Sequence, residues 1–154
     1  MEYYVTHLKD VSGSNYLGVN IPVSIVEPFL EKLKNAIGED EYIIYTNNQK
    51  NRDKGYHLTV LSVRDYNKLS KEMGISSFIN SLELILKYPI DDLEMLGIGT
   101  GSNKGNTSYF IVCKSDKLAA IRTRYNLPKQ DFHITIGFNL KDVFGIPKNK
   151  VIIN

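Results

Sequence analysis

Two segments of the chain repeat one pattern, and this repeat constrains the fold more than any other feature of the sequence. Residues 56–61 and 131–138 each contain an aromatic residue, a histidine, an aliphatic residue, a threonine and a second aliphatic residue in that order. In an extended strand successive side chains point to opposite faces, so His57 and Thr59 share one face of the first segment. The pattern therefore predicts two strands that each present an imidazole and a hydroxyl together.

The second segment places the same pair on a more apolar strand. His133 and Thr135 are predicted to share one face, and the residues between and around them are expected to face the core, namely Phe132, Ile134, Ile136 and Phe138. The chain has three histidines in all. The third, His7, has no threonine at the matching offset and is predicted to lie at the surface or at a sheet edge.

Composition restricts the class of protein. The 154 residues, with 42% hydrophobic and 23% charged content, fit one globular domain spanning residues 1–154. The single cysteine, Cys113, lies in an apolar run and predicts a reducing compartment. We find no leader and no membrane-length apolar run, and so expect a soluble cytoplasmic protein without a membrane partner. A net charge of +2 is too small to coat long nucleic acid but suits a small anionic ligand.

The remaining segments indicate a mixture of helices and strands. We predict strands near the N-terminus, at 41–46, 93–99, 107–114 and 151–153, and helices at 24–37 (with Pro28 in its first turn), 66–73, 78–86 and 116–125. A polar loop is expected at 47–55. Each histidine strand comes late in its half of the chain, after a helix. This order predicts an α+β fold of two pseudo-symmetric lobes, built from mainly antiparallel sheet with outer helices, with the two His-Thr pairs facing each other across a central cleft.

The glycine-rich segment 100–106 does not match a nucleotide-binding loop. Gly97 and Gly99 could begin a Gly-x-Gly-x-x-Gly pattern, but the position of its third glycine holds Ser102. No Gly-Lys-Ser/Thr triplet follows, as a P-loop would require. Two interpretations remain: a plain solvent loop, or a mobile flap that offers Lys104 or backbone N–H groups to an anion.

Two histidines on opposite sides of a phosphodiester can act as general base and general acid. Each such group contributes about 10²- to 10⁴-fold in rate. The threonine hydroxyls can donate hydrogen bonds to the non-bridging oxygens, where negative charge grows in the transition state. A metal site is the competing interpretation, and it would need a third ligand, for which Asp131 is the nearby candidate. No motif supports a nucleophilic serine, and Cys113 lacks an activating environment.

The paired motif resembles that of the 2H phosphoesterases, whose signature is two His-x-Thr/Ser-x motifs. Here these are His57-Leu58-Thr59-Val60 and His133-Ile134-Thr135-Ile136. The tract 131–138, followed by Asp142-Val143 and Gly145-Ile146-Pro147-Lys148, is similar to the Swiss-army-knife RNA-repair-like branch. The segment 12–22 is similar to phage anti-CBASS members, which cut cyclic oligonucleotide signals. The resemblance implies chemistry that needs no metal or other cofactor, with the two histidines as acid and base and the two threonines as phosphate binders.

Two substrate classes follow from this resemblance. The first is a cyclic dinucleotide or trinucleotide cut at a 3′–5′ phosphodiester; the second is a 2′,3′-cyclic phosphate on an RNA end or small nucleotide. The small net charge favours the first class, because tracking a long strand requires a basic groove. If a phage encodes the protein, we expect it to act in the host cytoplasm. A sponge that binds such a nucleotide without cutting it is the non-enzymatic alternative. Secondary substrate contacts are predicted at Lys50, Arg52 and Tyr109, and the resemblance adds base stacking at Tyr16.

Overall fold

A computed structural model describes all residues, 1–154, as six strands and five helices. In chain order these are β1 (Val5–Lys9), β2 (Asn15–Ile21), α1 (Val23–Ile37), α2 (Glu39–Arg52), β3 (Tyr56–Leu61), α3 (Val63–Met73), α4 (Ile75–Lys87), β4 (Glu94–Asn103), β5 (Asn106–Lys114), α5 (Asp116–Arg124) and β6 (Phe132–Phe138).

The strands form one six-stranded sheet in the order β1-β2-β3-β6-β5-β4. β1 with β2, β3 with β6, β4 with β5 and β5 with β6 all pair antiparallel. The predicted α+β class with a mainly antiparallel sheet is confirmed. The two histidine strands, β3 and β6, are direct neighbours, with Leu58 opposite Ile134.

The contacts of the chain cluster into two compact units, and each unit is assembled from three separate segments. The first unit comprises Met1–Asn20, Thr59–Leu93 and Ser115–Gln130, and the second comprises Ile21–Leu58, Glu94–Lys114 and Asp131–Asn154. Neither unit is one half of the chain. A division of the sequence at its midpoint therefore does not describe the architecture.

The first unit has an apolar core of strand and helix side chains. Leu17 and Val19 of β2, Leu61 of β3, Phe78 and Leu82 of α4 and Leu118 of α5 are all fully buried. Arg122 of α5 is buried as well. Its guanidinium donates to the carbonyl of Val60 at 2.9 Å and to Asp65 at 3.0 Å, so its charge is paired.

The prediction of a strand at 41–46 and a loop at 47–55 is wrong, because one helix, α2, covers Glu39–Arg52. Its first turn is acidic and its last turn is basic, an arrangement that the helix dipole favours. Ile43 and Ile44, which suggested a strand, are exposed, whereas Thr46 and Gln49 are buried. The helix packs on β6 and brings Arg52, in its final turn, to the functional site.

The strands predicted at 93–99 and 107–114 are confirmed as β4 and β5, which form a hairpin, but its loop is much shorter than 100–106. The strands pair as far as Asn103 opposite Asn106, which leaves Lys104 and Gly105 as a two-residue turn. Their φ angles are 52° and 79°, both in the left-handed region that a type I′ turn requires.

The other predicted elements are largely confirmed. Ser62 caps α3 and Ser115 caps α5, each accepting a backbone N–H. α1 begins at Val23, so Pro28 lies beyond the first turn, inside the helix. The predicted strand at 151–153 is wrong, since only one isolated bridge, Ile98 to Ile153, forms there. None of the helices has the length and apolarity that a membrane span requires.

Candidate active site

The two histidine motifs meet where β3 and β6 pair. Since Leu58 lies opposite Ile134 in an antiparallel ladder, the preceding residue of β3, His57, lies beside Thr135 of β6. Along β3 the side chains of Tyr56, Leu58 and Val60 are buried while those of His57 and Thr59 are half-buried, which is the predicted alternation.

A β-bulge near the end of β6 alters which residues face the site. Tyr109 pairs with Gly137 but Phe110 pairs with Thr135, so Ile136 has no partner in the ladder. As a result Phe138 pairs with Ser108 and lies on the face of Thr135, not on the opposite face as strict alternation predicts. Phe138 is nevertheless buried, because the Arg52 guanidinium covers its ring at 5.1 Å.

Asp142, in the irregular segment after β6, connects the side chains of this face. Its Oδ2 accepts hydrogen bonds from Arg52 Nη1 at 2.7 Å and from Thr135 Oγ1 at 3.1 Å. Its Oδ1 accepts from Ser108 Oγ at 2.8 Å and from the backbone N–H of Val143 at 2.9 Å. One carboxylate thus gathers an arginine, a motif threonine and a buried serine.

Lys148 supplies a second cation, itself buried, to the same cluster. Its side chain is 6% exposed, with Nζ 3.8 Å from Asp142 Oδ1 and 3.3 Å from Nε2 of His133. The ammonium also lies over two aromatic rings, those of Phe110 and Phe144. The backbone N–H of Lys148 donates to Asp131 Oδ2 at 3.0 Å, which fixes this part of the segment against the start of β6.

The surroundings favour the neutral form of both histidines. Burial lowers the pKa of His133 to about 4, with Lys148 and His57 acting in the same direction, against Asp142 and a hydrogen bond to the backbone of Asp131. Burial also lowers the pKa of His57; Arg52 adds to this effect, while Asp53 and Asp142 oppose it.

The carboxylate and the cations of the cluster stabilise one another. Burial raises the pKa of Asp142, but Lys148, Arg52 and Ser108 outweigh it and hold that pKa below its ordinary value. Burial lowers the pKa of Lys148 and Arg52 adds to this shift, with Asp142 opposing both. The site therefore holds one carboxylate between two cations beside two neutral imidazoles.

Of the residues predicted to contact substrate, Arg52 is the one that the structure brings into this cluster. Lys50, two positions earlier on α2, is exposed and lines a separate groove of about 570 Å³ together with Tyr42 and Tyr56. Tyr109 is half-buried, and its ring packs on Tyr45 of α2 with 5.5 Å between centroids.

The structure gives the following surroundings for the three remaining predicted site residues and for the third histidine. Lys104 is exposed at the tip of the β4–β5 hairpin. Tyr16 belongs to the first unit, where it pairs with Leu8 and is 9% exposed. Thr59 also falls in the first unit, and its carbonyl accepts a hydrogen bond from Gln130 at 2.8 Å. His7 is exposed, as predicted, and bonds the Tyr66 hydroxyl at 3.2 Å.

The sequence interpretation gave no role to Asp142, Lys148 or Ser108. Asp142 and Lys148 lie in the sequence tract that resembles the Swiss-army-knife branch, and this resemblance is the one signal that could have pointed to them. No periodicity pointed to them, because residues 139–154 form neither helix nor strand. Asp131, the candidate third metal ligand, has a carboxylate that accepts a hydrogen bond from the backbone N–H of Lys148. No group of three or more His, Cys, Asp or Glu side chains is arranged to hold a metal ion.

A groove adjoins the cluster on the side of Arg52 and Asp142. Its volume is about 430 Å³, within the range of small-molecule sites. Exposed apolar side chains, Leu140 and Phe144, form part of its wall together with Asn51.

Comparison with known proteins identifies one family. Residues 16–144 match the family model of the Swiss Army Knife, 2H phosphoesterase domain. No curated protein and no solved structure matches the chain. The matched region covers both histidine motifs, Arg52 and Asp142, and ends before Lys148.

Proposed function

Because the chain belongs to the Swiss Army Knife 2H phosphoesterase domain family, we propose that it cleaves the 3′–5′ phosphodiester bonds of cyclic oligonucleotides, with His57 and His133 as its acid and base. The family makes the chain a hydrolase of the phosphodiesterase type. The observation that carries the proposal is the pairing of β3 with β6, which sets His57 beside Thr135 on the face where Arg52 and Asp142 meet.

The proposed reaction proceeds by in-line displacement at phosphorus. One imidazole takes the proton of the ribose 2′-hydroxyl as that oxygen bonds to phosphorus. The bond from phosphorus to the 5′ oxygen breaks, and the other imidazole, protonated, gives its proton to that leaving oxygen. Water then attacks the phosphorus of the resulting 2′,3′-cyclic phosphate and gives its proton to the imidazole that the first step left neutral. The bond from phosphorus to the 2′ oxygen breaks, and the imidazole that took the 2′ proton returns it to that oxygen. Thr135 is proposed to bind a phosphate oxygen, and the same role for Thr59 stays a prediction of the sequence motif.

The charges of the site support His133 as the base. A base must start neutral, and the pKa of His133 is lowered to about 4. Asp53 and Asp142 counteract the lowering of the pKa of His57. A bound phosphodiester anion would raise that pKa further, because it favours the protonated imidazole. We therefore assign His57 as the acid.

The proposed chemistry uses no metal ion. The ring of His133 is hydrogen-bonded to the backbone of Asp131, and its Nε2 accepts a hydrogen bond from the ammonium of Lys148. A divalent cation at Nε2 would have to replace an existing positive charge. Arg52 supplies positive charge that a metal would otherwise bring to the phosphate.

A small nucleotide is the substrate that the site favours. The two cations, buried Lys148 and half-buried Arg52, lie in a compact cluster and do not form an extended basic track. The adjoining groove of about 430 Å³ has the size of a ligand pocket. We place the activity in the cytoplasm, where it would remove cyclic oligonucleotide signals, and propose the anti-CBASS role of phage proteins that the sequence resembles.

Product analysis in excess EDTA separates the candidate functions. The protein would be incubated with cyclic GMP-AMP and, in parallel, with an RNA oligonucleotide ending in a 2′,3′-cyclic phosphate. Linear product from cyclic GMP-AMP supports the proposal. Cleavage of the RNA end alone would replace it by the 2′,3′-cyclic phosphodiesterase, and tight binding of cyclic GMP-AMP without product would replace it by the sponge.

A further inference from the structure

Lys148 is a buried cation that the proposed reaction does not yet use. It lies in an irregular stretch after β6, yet its side chain is only 6% exposed. Removing an ammonium from water is costly unless the charge is paired, so a lysine in this position is expected to have a specific partner. Its Nζ lies 3.3 Å from Nε2 of His133, closer than the carboxylate of Asp142 at 3.8 Å.

This contact has a direction. An ammonium has three hydrogens to donate and no lone pair, so in the contact Lys148 donates and Nε2 of His133 accepts. The other bond of the ring, to the backbone of Asp131, favours the protonated form and therefore runs to the carbonyl oxygen. The lone pair that a general base needs is thus already engaged by Lys148.

Thr135 is engaged in a similar way. Its hydroxyl has one hydrogen, which is donated to Asp142 Oδ2 at 3.1 Å. Arg52 donates to the same oxygen at 2.7 Å. The carboxylate of Asp142 therefore occupies donors that would suit a phosphate, and a phosphate oxygen must compete with it for the hydroxyl of Thr135.

We propose that Lys148 is a phosphate-binding residue, which holds Nε2 of His133 in the free protein and transfers its hydrogen bond to the scissile phosphate when substrate binds. The inference rests on the proposed function, since it names the group that receives the phosphodiester anion of that reaction. The transfer releases the lone pair of His133 when the substrate is in place. The charged or titratable groups that act on the pKa of Lys148 or His133 are Asp142, Arg52 and His57.

Binding of inorganic phosphate tests this role without any turnover. Lys148→Met keeps the length and apolar contacts of the side chain while removing its charge. Lys150→Met is the matched control, because Lys150 is exposed and lies in the same segment. Loss of a charged hydrogen bond predicts phosphate binding weakened by about tenfold or more in Lys148→Met and unchanged in Lys150→Met, measured by calorimetry. Equal affinity in wild type and Lys148→Met, or an equal loss in the control, would overturn the proposal.

A second measurement uses the wild-type protein alone and so does not depend on whether the variant folds. In ¹⁵N NMR, saturating phosphate is expected to shift the Nε2 resonance of His133 and to raise the pKa of that ring. A protein that binds no phosphate, or binds it with no change at Nε2, would contradict the inference.

The role of Lys148 and the proposed reaction can be refuted independently of each other. Lys148-dependent phosphate binding in a protein that cleaves no phosphodiester would refute the proposed reaction alone. An active enzyme in which Lys148→Met keeps the wild-type phosphate affinity would refute the role of Lys148 alone.

Discussion

Replacing Asp142 by asparagine should destabilise the protein considerably, because Asp142 is the only carboxylate within bonding distance of both Arg52 and Lys148. The change is nearly isosteric, so it removes charge and leaves the volume of the side chain unchanged. Asp142 is 5% exposed at its side chain, and Lys148 is 6% exposed. The variant leaves the buried ammonium without a counter-charge.

The magnitude follows from the contacts that are lost. Removing one partner of a buried ion pair costs about 3–5 kcal/mol. Two features reduce this cost here: Arg52 keeps its bond to Asp53 at 2.7 Å, and the amide oxygen of the introduced asparagine can still accept from Ser108. We therefore expect a loss of about 2–4 kcal/mol in the free energy of unfolding, or about 5–15 °C in Tm for a chain of this size.

Urea denaturation at pH 7 provides the assay, with Asp91→Asn as the matched control. Asp91 pairs with Lys117 at the surface, where its side chain is 57% exposed, and its replacement should have little effect. Since the pKa of Asp142 is held below its ordinary value, its stabilisation is present above about pH 4 and is lost as the pH falls below that. The reasoning is refuted if Asp142→Asn unfolds within about 0.5 kcal/mol of wild type.

Three further predictions concern other parts of the structure. His133 has its folded pKa lowered to about 4, so the unfolded chain binds the extra proton first. Wild type should lose roughly 3 kcal/mol between about pH 7 and pH 4, and His133→Gln should lose less in urea titrations at both pH values. Burial raises the pKa of Cys113 to about 12, so a thiol reagent should label it only after denaturation, and rapid labelling of the native protein would contradict its burial. Gly97→Ala should lower Tm, because φ is 146° and the new Cβ would lie 2.7 Å from the carbonyl oxygen of Ile153; an unchanged Tm would show that the backbone adjusts freely.

The sequence was sufficient to predict the two histidine strands, β3 and β6, but not the helix α2 that packs on β6. His57 and His133 were found because strand alternation is a local property and the two motifs repeat it. The segment 41–46 of α2 predicts a strand because Tyr, Ile and Thr favour strands locally. The acidic residues at its start and the basic residues at its end were the competing signal, and tertiary packing on β6 decided the outcome.

The cluster around Asp142 could not be derived from local pattern. Ser108, Thr135 and Asp142 come from two strands and an irregular segment, and their contact depends on the register of β5 with β6. The bulge at Ile136 sets that register and turns Phe138 toward the site. The alternating residue pattern of β6 does not predict this bulge. Lys148 lies in a segment without periodicity, where burial cannot be predicted from the sequence.

The most direct test of the central claim is the initial rate of cyclic GMP-AMP cleavage in excess EDTA for wild type, His57→Gln and His133→Gln. His7→Gln serves as the control, because the third histidine lies on β1 in contact with Tyr66. The two motif variants should each lose about 10²- to 10⁴-fold in rate, while wild type and His7→Gln remain active without metal. A wild-type rate in either motif variant, or activity abolished by EDTA, would contradict acid-base catalysis by this pair.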